Sequence, residues 1–454
     1  MAYLGRRGAL APVSTADIPD NSITSAKIVD GAVAVADLGP DSVDSSELVD
    51  GSIDTSHIGD DQVTGAKIEN NPTIAGNLTV SGDLVPATPL SHRNLIINGA
   101  MQVWQRANAA TATGSGGLKT VDRWRMSEEG DGEYTSERHT MSLAELNTTG
   151  HSRALKLVCT TTDASIASTH HSSFWQAIEG QNLQQLQYGT ANAKTMTLSF
   201  WVKSNKTGTY SVVIKKVDST TYYLPIEYTI SSADTWEQKK ITITPTAGST
   251  SLITSAAGVI NNDFGEAMQV RFNLTWGSNY HGTNNTWTAS AHYSTSNQVN
   301  WLDSTSNNFY ITGVQLELGS NATPFEHKKW QDVVWDCQRY FVIHPQNGQS
   351  IPFPGLQNGS THYIATITLP RPMRTTPTLT VSNNNATMLR HDGYQSMASG
   401  VTFGPNYGSS TGIDSDANAP CQITIGGSGL SGGSDMHVGG VYSGSTNFAW
   451  ESEI

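Results

Sequence analysis

LSFWVKSNKTGTYSV, residues 198–212, alternates apolar and polar residues in its first third and becomes turn-rich after it. Leu198-Ser199-Phe200-Trp201-Val202 puts Leu198, Phe200 and Val202 on one side of an extended chain, because successive side chains of a strand point to opposite faces. A polar, turn-rich run follows, then a second extended stretch at 210–215. The same texture recurs outward in both directions. Candidate strands lie at 95–98, 154–159, 196–202, 210–215, 239–244, 268–274 and 309–318, and Ile241-Thr242-Ile243 repeats the alternation. Seven strands over residues 92–327, parted by turn-rich loops, predict an antiparallel β-sandwich with a jelly roll as the preferred topology.

The composition fits a mainly β chain. Charged residues are 14% of 454 positions, well under the ~25% usual in soluble domains, and Gly, Ser, Thr and Asn fill the difference. Such a mixture favours short strands and turns over long helices. The 11 Trp, 15 Tyr and 10 Phe supply enough aromatic mass for real cores. A net charge of −13 repels phosphate, so no nucleic-acid partner is expected. No stretch approaches a membrane span, and the opening MAYLGRRGALAPV lacks the continuous apolar core of a signal peptide. Cys159, Cys337 and Cys421 are far apart and odd in number, which argues against a disulfide framework and for folding in a reducing cytosol, with release by lysis as one way out.

Toward the N-terminus the period changes. Apolar residues recur every fifth position at Ile18, Ile23, Ile28, Val33, Leu38, Val43, Leu48, Ile53, Ile58, Val63 and Ile68, with turn pairs such as Asp30-Gly31 and Asp50-Gly51 between them. Neither a simple helix nor a simple strand has this period. One repeat buries too little to stand alone, so stacking or oligomerisation must supply a core. Two ordered forms remain open, a β-solenoid of one chain or three chains wound on a common axis, beside a low-complexity linker. The expected organisation is a virion-anchoring segment at 1–17, a decapeptide-repeat shaft at 18–72 and a β linker at 73–91.

Past the sandwich, KKWQDVVWDCQRYF (328–341) reads as a helix whose Trp330, Val334, Cys337 and Phe341 share a stripe. The stripe suits either a neighbouring sheet or a three-fold helical clamp between domains. Residues 342–454 then read as a C-terminal β domain, with strands at 361–369, 378–381 and 446–454 and acidic Glu451 and Glu453 at the close.

RNLIINGAMQVWQRA (93–107), VDRWR (121–125), LSFWVKSNKTGTYSV (198–212) and FYITGVQLELGSNATPFEH (309–327) together resemble a module recurrent in bacteriophage tail fibres. The N-terminal repeat resembles the shaft openings of podovirus-type tail fibres, and LPRPMRTTPTLTV (369–381) resembles the ends of such proteins. The resemblance implies a virion tail protein, a homotrimer held by Ile23, Ile28, Val33, Leu38, Val43, Leu48, Ile53 and Ile58 and by the clamp residues Trp330, Val334, Cys337 and Phe341. It implies a tail adaptor or nozzle protein as partner of the N-terminus. The sandwich outline is similar to carbohydrate-binding modules, which implies a host-surface glycan or protein as the outer partner.

Few patterns carry chemistry. Glycan sites stack sugar faces on aromatic rings, which singles out Tyr280, Trp287 and Tyr293 in the segment 276–301; the alternative is that Trp276, Trp287 and Trp301 are buried. Tyr394, Phe403 and Tyr407 form a distal candidate, with the C-terminal domain as receptor-binding tip. His170-His171, with His139 and His151, suggest metal, but no Cys or carboxylate stands at ligand spacing along the chain, so polar loop histidines are expected and no metal or cofactor. Glu128-Glu129 and Asp131 offer carboxylates of the kind glycosidases use. GGSGLSGG satisfies a dinucleotide-loop and a nucleophile-elbow spacing without the required strand–turn–helix setting. The expected function is therefore a non-enzymatic trimeric tail fibre; the alternatives are a tailspike glycan depolymerase and a structural collar.

Overall fold

A computed structural model describes residues 14, 16, 18–29, 31–34, 37, 58, 91–112, 117–118, 120–249 and 251–344, and beyond them 351–358, 362–367, 369–375, 377–381, 387–390, 393–396, 402–406, 421–426, 436–441 and 448–453. The chain divides into two compact units, Met1–Leu84 and Val85–Ile454.

In the first unit the five-residue period corresponds to one reverse turn per repeat. Backbone hydrogen bonds run from Ser22 N to Pro19 O, Lys27 N to Thr24 O, Ala32 N to Val29 O and Asp37 N to Ala34 O. Each turn begins one residue after an apolar position, Ile18, Ile23, Ile28 or Val33. All four of these side chains and Ile58 are exposed. No strand occurs among the described residues of this unit, which between 18 and 37 form a series of turns. Leu38, Val43, Leu48, Ile53 and the linker 73–84 lie outside the described residues.

The second unit opens with twelve sandwich strands. In chain order these are β1 (Ala109–Ala112), β2 (Gly117–Leu118), β3 (Arg125–Glu129), β4 (Glu133–Thr140), β5 (Arg153–Thr161) and β6 (His171–Glu179). Then come β7 (Met196–Ser204), β8 (Gly208–Lys216), β9 (Tyr222–Ile230), β10 (Glu237–Ile243), β11 (Glu266–Trp276) and β12 (Asn308–Leu318). Helix α1 (Leu143–Thr149) joins β4 to β5 and starts with a capping box between Ser142 and Glu145. One sheet has the order β1-β4-β5-β12-β7-β10 and the other β2-β3-β6-β11-β8-β9, all pairs antiparallel. The chain crosses from sheet to sheet at most connections, and the result is a jelly-roll-like β-sandwich.

Between the sheets lies one core. Leu198, Phe200 and Val202 point into it, as the alternation predicts, beside Trp124, Phe174, Tyr210, Tyr228, Phe272 and Phe309. Phe174 stacks on Phe272 at 5.3 Å, and Phe200 meets both Phe272 and Tyr228 edge-on at 5.0 and 5.1 Å. Such pairs each add about 0.5–1.5 kcal/mol beyond their buried area. Residues 95–98 are a turn and not the expected strand: Asn98 has φ 57 and its side chain accepts from the backbone of Gln102 and Val103.

Helix α2 (Trp330–Gln338) is shorter than expected, and Phe341 opens strand β13 (Phe341–His344). Cys337 and Phe341 are buried within this chain, so neither is free for a clamp; Arg106 lies 3.7 Å over the Phe341 ring. Trp330 remains 60% exposed and Val334 half-buried. The end of α2 is fixed by Arg339, which donates to both oxygens of Glu179 at 2.8 and 2.9 Å, and by the Tyr340 hydroxyl on the same carboxylate.

Among the described residues ten strands form the C-terminal part, β13 and then β14 (Ile351–Asn358), β15 (His362–Ile367), β16 (Thr378–Val381), β17 (Thr387–Arg390) and β18 (Gly393–Ser396). The last are β19 (Thr402–Asn406), β20 (Cys421–Gly426), β21 (Met436–Val441) and β22 (Phe448–Glu451). They make a three-stranded sheet, β13-β22-β16, and a seven-stranded sheet, β18-β17-β21-β14-β15-β20-β19. After β22 the chain returns to the sandwich, where Glu453 pairs with buried Arg123 and with Arg106.

Candidate functional site

The outer face of the β2-β3-β6-β11-β8-β9 sheet carries one group of aromatic residues outside the core. On β11 a register shift between Asn273 and Thr275 inserts one extra residue opposite β6, so Asn273 pairs with Ser173 and Trp276 with His171. A single inserted residue reverses which face the following side chains take. Trp276 is thereby turned outward. Its ring stacks on Tyr293 at 4.4 Å and on His171 at 4.5 Å, and Tyr280 approaches it edge-on at 4.8 Å.

The loop that carries Tyr280 and Tyr293 is fastened to this face. Asn273 Nδ2 donates to Tyr293 O, Ser211 is hydrogen-bonded to Ser294 at 3.0 Å, and Gln298 Nε2 donates to Asn273 O. Asn273 Oδ1 accepts from Trp276 Nε1 at 2.8 Å and holds the indole. Burial, with Arg271 nearby, pushes His171 below the usual imidazole range, so its ring is neutral at pH 7. Burial raises the Tyr293 hydroxyl.

Two of the three residues singled out in 276–301 meet here: Tyr280 and Tyr293 are half-buried and 5.9 Å apart. Trp287 is corrected. It is 2% exposed, part of the core, and its indole donates to Thr244 O, so no sugar can reach its face. Trp276 and Trp301 are buried, as the alternative reading held. Tyr394 lies in β18 and Phe403 in β19; Tyr407 and residues 427–433 of the Gly-rich motif lie outside the described residues.

A second grouping stands beside His171. Asp131, from the β3–β4 turn, and Asp163 and His170, from the β5–β6 connection, bring one ligand atom each within 4.8 Å of one another. Asp163 Oδ2 lies 2.7 Å from His170 Nδ1. The glycine before Asp131 makes this approach possible: Gly130 has φ +148, and a Cβ there would fall 2.8 Å from His170 Nδ1. Asn300 holds the loop by donating to Asp163 O at 2.7 Å. The reading that no carboxylate accompanies the histidines is thus corrected, since the fold brings together residues that lie apart along the chain. Two carboxylates and an imidazole suit a divalent ion with open positions, or acid–base work on a bound water. The Asp163–His170 hydrogen bond also satisfies that pair without an ion.

Of the other histidines and acids singled out, Glu129 lies 3.6 Å from His171 Nδ1. His139 pairs with Glu145, and His151 packs on Phe325. Glu128 is buried on the Met126 side of β3, whereas Glu129 is exposed on the other. A cavity of about 240 Å³ between β6 and α2, lined among others by Glu179, Lys328 and Tyr340, is smaller than the ~300 Å³ at which ligand pockets usually begin.

Comparison with protein-family models and with curated proteins gives no match. Among solved structures the chain is similar to the enzymatically active domain of tailspike protein 4 from bacteriophage CBA120, at 12% identity and a TM-score of 0.26, over 50% of this chain and 21% of that one. It is also similar to the family 11 carbohydrate-binding module from Clostridium thermocellum, in complex with a β-1,3-1,4-mixed-linked tetrasaccharide, at 10% identity and a TM-score of 0.23, over 48% of this chain and 98% of that one. The chain therefore spans about a fifth of the tailspike domain's length. The β-sandwich itself is established by the strand pairing above. The expectation that the chain is not an enzyme is corrected: the fold brings Asp131, Asp163 and His170 together, and these are the residue types of a hydrolytic or metal-assisted site.

Proposed function

We propose that the chain is a tailspike-like virion protein, assembled as a homotrimer and attached to a tail adaptor by its N-terminus, whose sandwich engages host-surface glycan. The observation that carries this reading is the pair of half-buried tyrosines, Tyr280 and Tyr293, 5.9 Å apart and seated on the buried Trp276. A sugar stacks its C–H face on such rings while a few polar groups fix its orientation. The resemblance of residues 93–107, 121–125, 198–212 and 309–327 to phage tail-fibre modules supports the virion assignment. A glycan array probed with the full chain tests it. Tyr280→Ala with Tyr293→Ala should lower binding about tenfold or more at unchanged fold, and unchanged binding would contradict the site.

A second reading, glycan depolymerisation, is favoured by the Asp131–Asp163–His170 grouping. Retaining glycosidases hold two carboxyl groups ~5 Å apart, so Asp131 and Asp163 have a compatible approach. Release of reducing ends from an array-positive polysaccharide should disappear in Asp163→Asn. Equal release by that variant would sink this reading.

A further inference from the structure

The same sheet face carries a row that the aromatic stack does not use. Strand register sets Arg125 on β3, Trp175 on β6 and Arg271 on β11 side by side. The Arg271 guanidinium lies 3.8 Å from the centre of the Trp175 ring and 5.1 Å from that of Tyr293. Arg271 is 8% exposed, as is Trp175. Burial lowers its pKa to about 10, which still leaves it cationic at neutral pH.

The partners of this buried cation are neutral. Its Nη atoms donate only to neutral oxygens, Ser173 Oγ at 3.4 Å and Gln269 Oε1 at 3.1 Å. The Nε atoms of Arg271 and of Arg125 are both buried with no acceptor. Glu266, the acid whose charge reaches Arg271, accepts instead from Gln269. Arg123, which is buried, has the carboxylate of Glu453, and the half-buried Arg339 and Arg106 have Glu179 and Asp122; half-buried Arg374 and Arg93, like Arg271, donate to neutral oxygens. A guanidinium stacks through its face and binds oxyanions through its N–H edge, two donors at a time. Stacking on Trp175 therefore leaves an edge of Arg271 with its Nε unpaired, and the half-buried Arg125 pairs with Trp175 from the neighbouring strand.

We propose that the Arg125–Trp175–Arg271 row binds an anionic saccharide, a sugar unit bearing a carboxylate or a phosphate, with the anion on the arginine edges and the sugar ring on the aromatic set beside it. The inference rests on the glycan reading above and adds the class of glycan. The chain's net charge of −13 disfavours indiscriminate adhesion of polyanions, so retention by one reports a local site.

Affinity electrophoresis of the full chain separates the cases, in native gels containing polygalacturonate, its methyl-esterified form, phosphomannan or neutral mannan. At least one anionic polymer should retard the protein about fivefold more strongly than its neutral counterpart, and which one does so distinguishes carboxylate from phosphate. Arg271→Gln should remove that excess, and Arg271→Lys should restore it only in part because it keeps the charge without the fork. Melting curves check the fold, and if Arg271→Gln does not fold, Arg125→Gln at the half-buried end of the row should halve the excess or more. Equal retardation by neutral polymers, unchanged in the arginine variants, overturns the anionic class and leaves the glycan reading standing. Retardation by none of the four polymers overturns both.

Discussion

His151 sits against Gly313, Phe325 and His327, with its ring 4.7 Å from that of Phe325 and 5.3 Å from that of His327. Gly313 has φ +61 at the irregularity of β12, and a Cβ there would fall 2.4 Å from His151 Nε2. Gly313→Ala should therefore cost more than the ~1 kcal/mol of an unstrained glycine replacement, read as a lowered urea midpoint; a neutral effect would contradict the packing. Burial, reinforced by His327, pushes His151 down to about 4. A folded-state value below that of the unfolded chain means stability is present above about pH 6.5 and is lost as pH falls through 4, up to about 3 kcal/mol. Asp122 acts oppositely, because burial raises it to about 6 and protonation then favours the native state as pH falls. The comparison must be between variants. Wild type should lose more melting temperature between pH 7 and 4.5 than His151→Asn, and parallel slopes would rule His151 out as the source.

Among the elements, the closing strand β22 and the residues after it tie the C-terminal part to the sandwich. Glu453 is the counter-ion of the fully buried Arg123, and Arg374 donates to the carbonyls of Ser452 and Glu453. Removing one partner of a buried pair leaves an uncompensated charge, so Glu453→Gln should cost about 3–5 kcal/mol, measured by chemical denaturation. A loss below about 1 kcal/mol would show that the pair is solvated. Strands that alternate cleanly were legible in the sequence, β5, β7, β8, β10, β11 and β12 among them. β6 was not, because His171–Glu179 is buried on nearly all positions and shows no period. β3 and β4 carry too many charges to read as strands, and Pro225 disguises β9, where proline is tolerated because β9 is an edge strand. Tyr280 and Tyr293 could be found because they share one aromatic segment. Trp175, Arg271 and the outward turn of Trp276 could not, since they depend on a bulge and on pairing between residues almost a hundred positions apart.

For the whole molecule, the exposed Ile23, Ile28 and Val33, one per turn of the N-terminal unit, are what a single copy leaves uncovered. Under the homotrimer proposal, sedimentation should give three times the 48.6 kDa chain mass, and Ile23→Ser with Ile28→Ser and Val33→Ser should shift it toward one chain. A wild-type mass of one chain would contradict the assembly. Hydrogen–deuterium exchange of the full chain with an array-positive glycan tests where the glycan binds. Protection should fall on residues 171–176, 269–280 and 293–299, across β6, β11 and the loop that covers them. Protection confined to residues 351–451, around Tyr394, Phe403 and Tyr407, or to the β1-β4-β5-β12-β7-β10 sheet would contradict it.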